Sequence, residues 1–514
     1  MIKDLRNRRR RSEKQSAVAG FQDGDVTSLQ QLREMAWQCC CLQFIAALFY
    51  LLTEIFYSRS NGMAIACGIV AIFVSLYPVL YAVIKRKFSL VFSCITAFNL
   101  APIWFLYLEA VLPGYDAYVY SSPADRVNAL FWIAVFQLFF NLFYVIFWKN
   151  ISRFSIGSFS FLNQTSLKPK FFIWLTFLVF IIPLVAFYFY YGSAAILWTA
   201  VTAGRTGGGS SGGLLIAESI GGSSSLLMPL NWLWQLTPVF SCIAFASVKK
   251  KYSLIPLLSL VPGLLVIFSF FLSGSRGSMM FVAAPVIFFL IFYNWQRGMK
   301  FWLPFVVSLF FLIGVMELQQ RFRGNLLDVI ANPEKAVRQS DFKSVTSFDP
   351  TQSHRDNNMY LLCLIVKGYP KKYAYEGFHD FLATVANPIP RALWPGKPVF
   401  VGAQDLIYQP GFVLDGPLYI GTTSLSYSIV GEAYKANGLA GILLYTAVYA
   451  LILIFFDGII YYTKEKQVLA VGLLGMSIFL AFWGGRAFFA LMTFSYPLLL
   501  LLLFVYIVKL VRRF

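Results

Sequence analysis

Long apolar runs recur from residue 36 almost to the C-terminus, and they decide what this chain can fold into. About 17 to 25 apolar residues wound as helix cross roughly 30 Å of hydrocarbon. About twelve such runs are present, near residues 36–57, 63–84, 88–112, 129–148, 171–191, 226–247, 252–272, 278–294, 300–317, 438–462, 468–483 and 487–508. Lipid offers no partner to backbone N–H and C=O groups, so each run is expected as a helix rather than an open strand. At 58% hydrophobic and 13% charged residues, the composition lies outside that of water-soluble globules, which are typically about 45 to 50% apolar. The expected class is all-α: a polytopic membrane protein of about twelve transmembrane helices.

The distribution of Lys and Arg predicts an orientation, because basic residues in short loops stay on the cytoplasmic side. The start of the chain carries Lys3, Arg6, Arg8 to Arg11, Lys14 and Arg33, and every second connection after it is basic, as at Lys85-Arg86-Lys87, Lys249-Lys250-Lys251 and Arg512-Arg513. One topology accommodates them all, with both termini in the cytoplasm. The net charge of +19 then reads as a topology signal, not as a nucleic-acid footprint. Four parts follow: a basic cytoplasmic arm (1–35), helices 1–9 (36–317) with external loops at 113–128 and 192–225, a large extracytoplasmic region (318–437), and helices 10–12 with the cytoplasmic C-terminus (438–514). The large region holds both histidines, His354 and His379, and its stretch 375–385 has apolar residues at helical spacing before Asn387-Pro388.

Two turns on the expected outer face carry an arginine between small residues and the start of an apolar helix: Ser273-Gly274-Ser275-Arg276-Gly277 and Gly484-Gly485-Arg486. Arginine beside hydrocarbon either snorkels to the interface or meets an anion. A helix N-terminus next to a guanidinium fork is chemistry suited to phosphate oxygens. Arg276 and Arg486 are therefore the first candidates for an anionic headgroup or pyrophosphate. The Gly/Ser-rich loop with Arg205 lacks the Lys-Ser/Thr ending of a P-loop and reads as a linker.

Proton transfer to or from a sugar hydroxyl calls for His, Glu or Asp. Glu432, in Gly431-Glu432-Ala433-Tyr434, ranks first, with His354 and Asp356 of His354-Arg355-Asp356 next. Glu432 also fits a carboxylate favoured by a helix dipole. Glu54 and Asp457 fall inside helices, where ionisable groups are functional candidates. No metal-ligand spacing occurs, so neither a metal nor a cofactor is expected.

Three pieces of the second half resemble a Wzy-type O-antigen polymerase, an oligosaccharide repeat-unit polymerase: Ser273 to Ser278 opening a helix, Ile389-Pro390-Arg391-Ala392-Leu393-Trp394-Pro395-Gly396-Lys397-Pro398, and Gly431-Glu432-Ala433-Tyr434 with Asn437-Gly438 and Gly441. Before about residue 250 only the topology is similar. Some polymerases of this class carry, in two external loops, an arginine with a glycine eleven residues on; Arg391 and Gly402 fit, whereas Arg205 is followed there by Ile216. The resemblance implies a GT-C-like helical bundle in the bacterial inner membrane. The implied activity joins undecaprenyl-pyrophosphate-linked oligosaccharides on the outer face. It also implies Arg391, Arg205 and Lys397 as further pyrophosphate contacts, and a chain-length regulator and a repeat-unit flippase as partners beside the lipid bilayer. An O-antigen ligase would use the same lipid carrier and similar arginines, and physics of the sequence does not separate the two. A transporter also has many helices, although carriers keep functional charges near mid-membrane.

Overall fold

The computed structural model describes residues 26–57, 60–159, 169–197, 227–248, 254–272, 358–387, 389, 393–398, 426–462 and 468–511, with scattered positions between 279 and 306. Among the described residues 86% are helical and none lies in a strand, so the chain is all-α. Six helices among the described residues are long and apolar enough to cross a membrane: Gln30–Tyr57, Asn61–Ile84, Cys94–Val111, Pro123–Ser155, Phe171–Tyr191 and Ser428–Ile459. They make the chain a multi-pass membrane protein by length and composition.

Several helices differ in their limits from the runs expected of them. The run at 226–247 is two helices, Leu227–Gln235 and Thr237–Ser247, with Pro238 in the first turn of the second; proline lacks the N–H that a continuous helix would use. The run at 252–272 is likewise divided, into Leu254–Leu258 and Leu260–Leu272. The run at 88–112 opens with a tight turn at Phe88–Phe92, and its helix starts at Cys94, where Ser93 accepts the N–H of Thr96 as N-cap. Most of 278–294 and 300–317 lies outside the described residues.

The elements that matter here are α1 (Val26–Tyr57), α2 (Asn61–Ile84), α3 (Cys94–Val111), α4 (Pro123–Phe159), α5 (Pro169–Tyr191), α6 (Leu227–Gln235), α7 (Thr237–Ser247), α8 (Leu260–Leu272), α9 (Asn358–Gly368), α10 (His379–Ala386), α11 (Ser428–Tyr462), α12 (Val468–Trp483) and α13 (Phe488–Val511). Helix α4 runs between α1 and α11, α9 packs on both α4 and α11, and α5, α7 and α8 form a second group joined to the first through α12. Helix α1 shows why apolar pattern alone does not mark the buried face. It buries Met35, Cys39 and Tyr50 yet exposes Phe44, Ile45 and Ile55, as a helix between protein and lipid must.

With apolar surface on all sides, directional bonds determine which helices meet. Gln137 of α4 accepts from Gln43 of α1 at 2.7 Å and from Tyr107 of α3 at 2.9 Å. Four residues along α4, the amides of Asn141 and Asn99 bond each other reciprocally at 3.1 and 3.3 Å. Interhelical bonds of this kind contribute about 0.6 kcal/mol each on average, so their main effect is to set register.

Buried carboxylates do a further job. Asp457, fully buried near the end of α11, accepts the backbone N–H groups of Cys94 and Ile95 at 2.9 and 3.3 Å and the Tyr144 hydroxyl at 2.7 Å. It thus satisfies donors that a helix N-terminus leaves open. Glu109, 1% exposed, does the same for α9, accepting from the Met359 N–H at 2.8 Å and the Asn358 amide at 3.2 Å. Each buried donor left without a partner costs about 1 to 3 kcal/mol. Asp457→Leu is therefore expected to lower the unfolding temperature in detergent clearly, with Asp457→Asn, which keeps one acceptor oxygen, losing less.

Candidate functional site

One end of the bundle gathers the last turn of α3, the first turn of α4, α9, α10 and the starts of α11 and α13. Helix α9 is fastened there at both ends: Glu109 holds its start, and Lys367 pairs with Asp125 of α4 at 3.0 Å. The connection that follows wraps the start of α11. Glu376 and Gly377 donate their N–H groups to the carbonyls of Lys435 and Ala436 at 3.2 and 2.8 Å, and the Glu376 carboxylate pairs with Lys435 at 2.7 Å. Lys435 is 3% exposed, and a cation buried to that degree needs its counter-charge.

Helix α11 is not straight. It starts at Ser428, ten residues before the expected start near 438, and breaks at Asn437 and Gly438, where Gly438 has φ 51°. After the break the chain doubles back so closely that a Cβ on Gly441 would fall inside the Ala433 carbonyl oxygen. Gly438 and Gly441 are thus required by a turn and a close approach, and the turn presents 428–436 as a separate short arm. Ser428 caps this arm, its Oγ accepting the Gly431 N–H at 3.4 Å. Its own φ of 65° is left-handed and unfavourable for serine.

The arm and Ser426 just before it grip the turn between α12 and α13 through three bonds. Ser426 Oγ donates to the Arg486 carbonyl at 2.6 Å, the Ile429 N–H donates to the Gly485 carbonyl at 3.4 Å, and Glu432 Oε2 accepts the Phe488 N–H at 2.7 Å. In a capping box the acid sits at the third helical position and returns to its own N-cap. Glu432 is one residue further along and reaches the N-terminus of α13 instead. The dipole reading of Glu432 thus applies to a second helix as well as its own.

Arg486 is half-buried on this turn, its guanidinium over the Trp483 ring at 5.6 Å. The glycines before it have a use other than exposing backbone to a ligand: a Cβ on Gly484 would stand 2.5 Å from Tyr449 Oη of α11, and one on Gly485 2.9 Å from Ala101 Cβ of α3. They let the turn pack against the bundle. Helix α10 lies alongside, with Phe381 stacked on Phe488 at 5.0 Å and 5.2 Å from Tyr445. It spans His379–Ala386, starting four residues later and ending one later than the expected stretch 375–385. Its Asp380 pairs with the neighbouring His379 at 3.4 Å.

Of the residues singled out from the sequence, the structure brings Glu432 and Arg486 to one turn. Lys397 is 7% exposed and donates to the carbonyls of Asn387 and Ile389 at 3.1 and 3.0 Å, so its ammonium closes its own loop. Asp457 caps α3 at the opposite end of α11, and Glu54 is half-buried in the last turn of α1. Arg276, Arg391, Arg205, His354 and Asp356 lie outside the described residues. No protein-family model, curated protein or solved structure matches the chain.

Several charged residues at this end were not singled out from the sequence, Glu109, Arg126, Asp380 and Lys435 among them. Glu109 interrupts an apolar run and so carried the same signal as Glu54 and Asp457. Arg126, 2% exposed, donates to the Ala110 carbonyl at 3.0 Å, bonds Asn61 and lies over the Tyr118 ring at 4.9 Å; it ties α4 to α3 and α2. Lys435 had no signal of its own, because its partner Glu376 is remote in sequence, and Asp380 pairs with its neighbour His379 on an exposed face.

Proposed function

We propose that this chain is a Wzy-type polymerase, with about twelve membrane spans in a GT-C-like bundle, both termini in the cytoplasm and its working face outside the bacterial inner membrane. Its substrates are undecaprenyl-pyrophosphate-linked oligosaccharides. A hydroxyl of one repeat unit attacks the anomeric carbon of the growing chain, the new glycosidic C–O bond replaces the bond to phosphate, the hydroxyl proton passes to a base, and lipid pyrophosphate departs as an anion.

The observation that carries this reading is Arg486, on a turn held by three bonds at the N-terminus of α13. The guanidinium offers fixed positive charge to a leaving pyrophosphate, while the first N–H of α13 is taken by Glu432. Charge that needs no reorganisation is what stabilises such a transition state. Arg276 joins it in the proposal on the strength of the same Gly/Ser-Arg-helix pattern.

The test is a gel of surface polysaccharide from source cells lacking the gene. The expected result is collapse of the ladder to single repeat units on their usual anchor. Full-length polymer stranded on the lipid carrier would make the protein a ligase, and an unchanged ladder would return transport to the front.

A further inference from the structure

Glu432 has the appearance of a general base from sequence, yet its carboxylate faces a backbone donor. We infer that Glu432 is a positioning residue: through the Phe488 N–H it fixes the Gly484-Gly485-Arg486 turn and so aims Arg486 at the anionic leaving group. This rests on the polymerase reading for the identity of the anion, and on geometry alone for the clamp.

Three features point the same way. The Ser426, Ile429 and Glu432 bonds fall on consecutive parts of one turn, at the carbonyls of Arg486 and Gly485 and the N–H of Phe488. The arm that supplies two of them is itself rigidly placed, by the Ser428 cap at one end and the Glu376–Lys435 pair and Gly377 N–H at the other. Behind the turn, Phe488 is buried and stacked on Phe381 of α10. Loss of the Glu432 contact leaves the Phe488 N–H without its acceptor and removes the shortest bond from a backbone N–H of the turn, so the turn is loosened although Ser426, Ile429 and Phe381 still touch it. Displacing a catalytic cation by about 1 Å can cost as much as 10²-fold in rate.

A base and a positioning acceptor respond differently to the isosteric amide. Glutamine keeps an oxygen for the Phe488 N–H but cannot take a proton. In cells lacking the chromosomal copy, E432Q is expected to retain most polymer, whereas E432A lowers it by about tenfold or more. Adding E432A to R486A is expected to produce no loss beyond R486A alone, because both act through one guanidinium. Hydrogen exchange of the purified full chain reads the clamp without reference to activity: the peptide covering residues 484–491 should exchange faster in E432A and at the wild-type rate in E432Q. E432Q as inactive as E432A, with exchange unchanged in both, would overturn the inference and restore the base. If the wild-type gene forms no polymer while exchange follows the expected order, the clamp stands and the polymerase reading fails.

Discussion

Arg486→Ala is expected to reduce polymer to single repeat units or short oligomers, a loss on the order of 10² to 10³-fold, the range found when one preorganised donor to a developing oxyanion is removed. The side chain lies half-buried on a turn, over Trp483, where a cation–π contact contributes about 0.5 to 2 kcal/mol and no helix interior depends on it. The fold should therefore tolerate alanine, and the unfolding temperature in detergent should move little. Arg486→Lys separates charge from geometry. Lysine keeps the positive charge but presents no planar fork to two phosphate oxygens, so an intermediate polymer yield with shortened chains is expected. Wild-type ladders from both variants at normal expression would remove Arg486 from the mechanism.

Gly441→Val is expected to have the largest effect on stability. Its Cβ would overlap the Ala433 carbonyl oxygen, and a backbone atom, unlike the end of a flexible side chain, has nowhere to rotate. Relief requires the arm 428–436 to move away from the rest of α11, which disturbs Lys435, Glu432 and the turn they hold. Overpacking ordinarily costs about 1 to 3 kcal/mol; with backbone on both sides the upper end or beyond is expected. The measurement is the unfolding temperature in detergent, with Gly396→Ala as control, since a Cβ there has nothing within 4 Å. Unaltered stability in Gly441→Val would mean that the arm does not double back as described.

Together these variants separate what the arm does from what the turn does. Gly441 supports the arm, Glu432 transmits its position and Arg486 meets the substrate. Loss at the first should be accompanied by instability; loss at the last should not.

Much of the architecture was legible before any fold was known, and for a physical reason. Lipid leaves each backbone polar group to find its partner within the same segment, so helix, length and approximate limits are local properties of the chain. Among the described residues six of the expected runs are helices long enough to cross a membrane, and the breaks near Ser93 and Pro238 carry their causes in the same stretch of sequence. Tertiary structure alone decided how the charged and small residues are used. Glu432 meets a donor 56 residues away, Glu109 one 250 away and Asp457 one 363 away. Nothing in the neighbourhood of each carboxylate names its helix. The same holds for Gly485, whose requirement for a missing side chain comes from Ala101 across a packed interface, and for Gly441, against which Ala433 is folded by the bend in α11. A helix is written in its own residues, whereas an open helix N-terminus is satisfied by whatever acid the packing of other helices delivers to it.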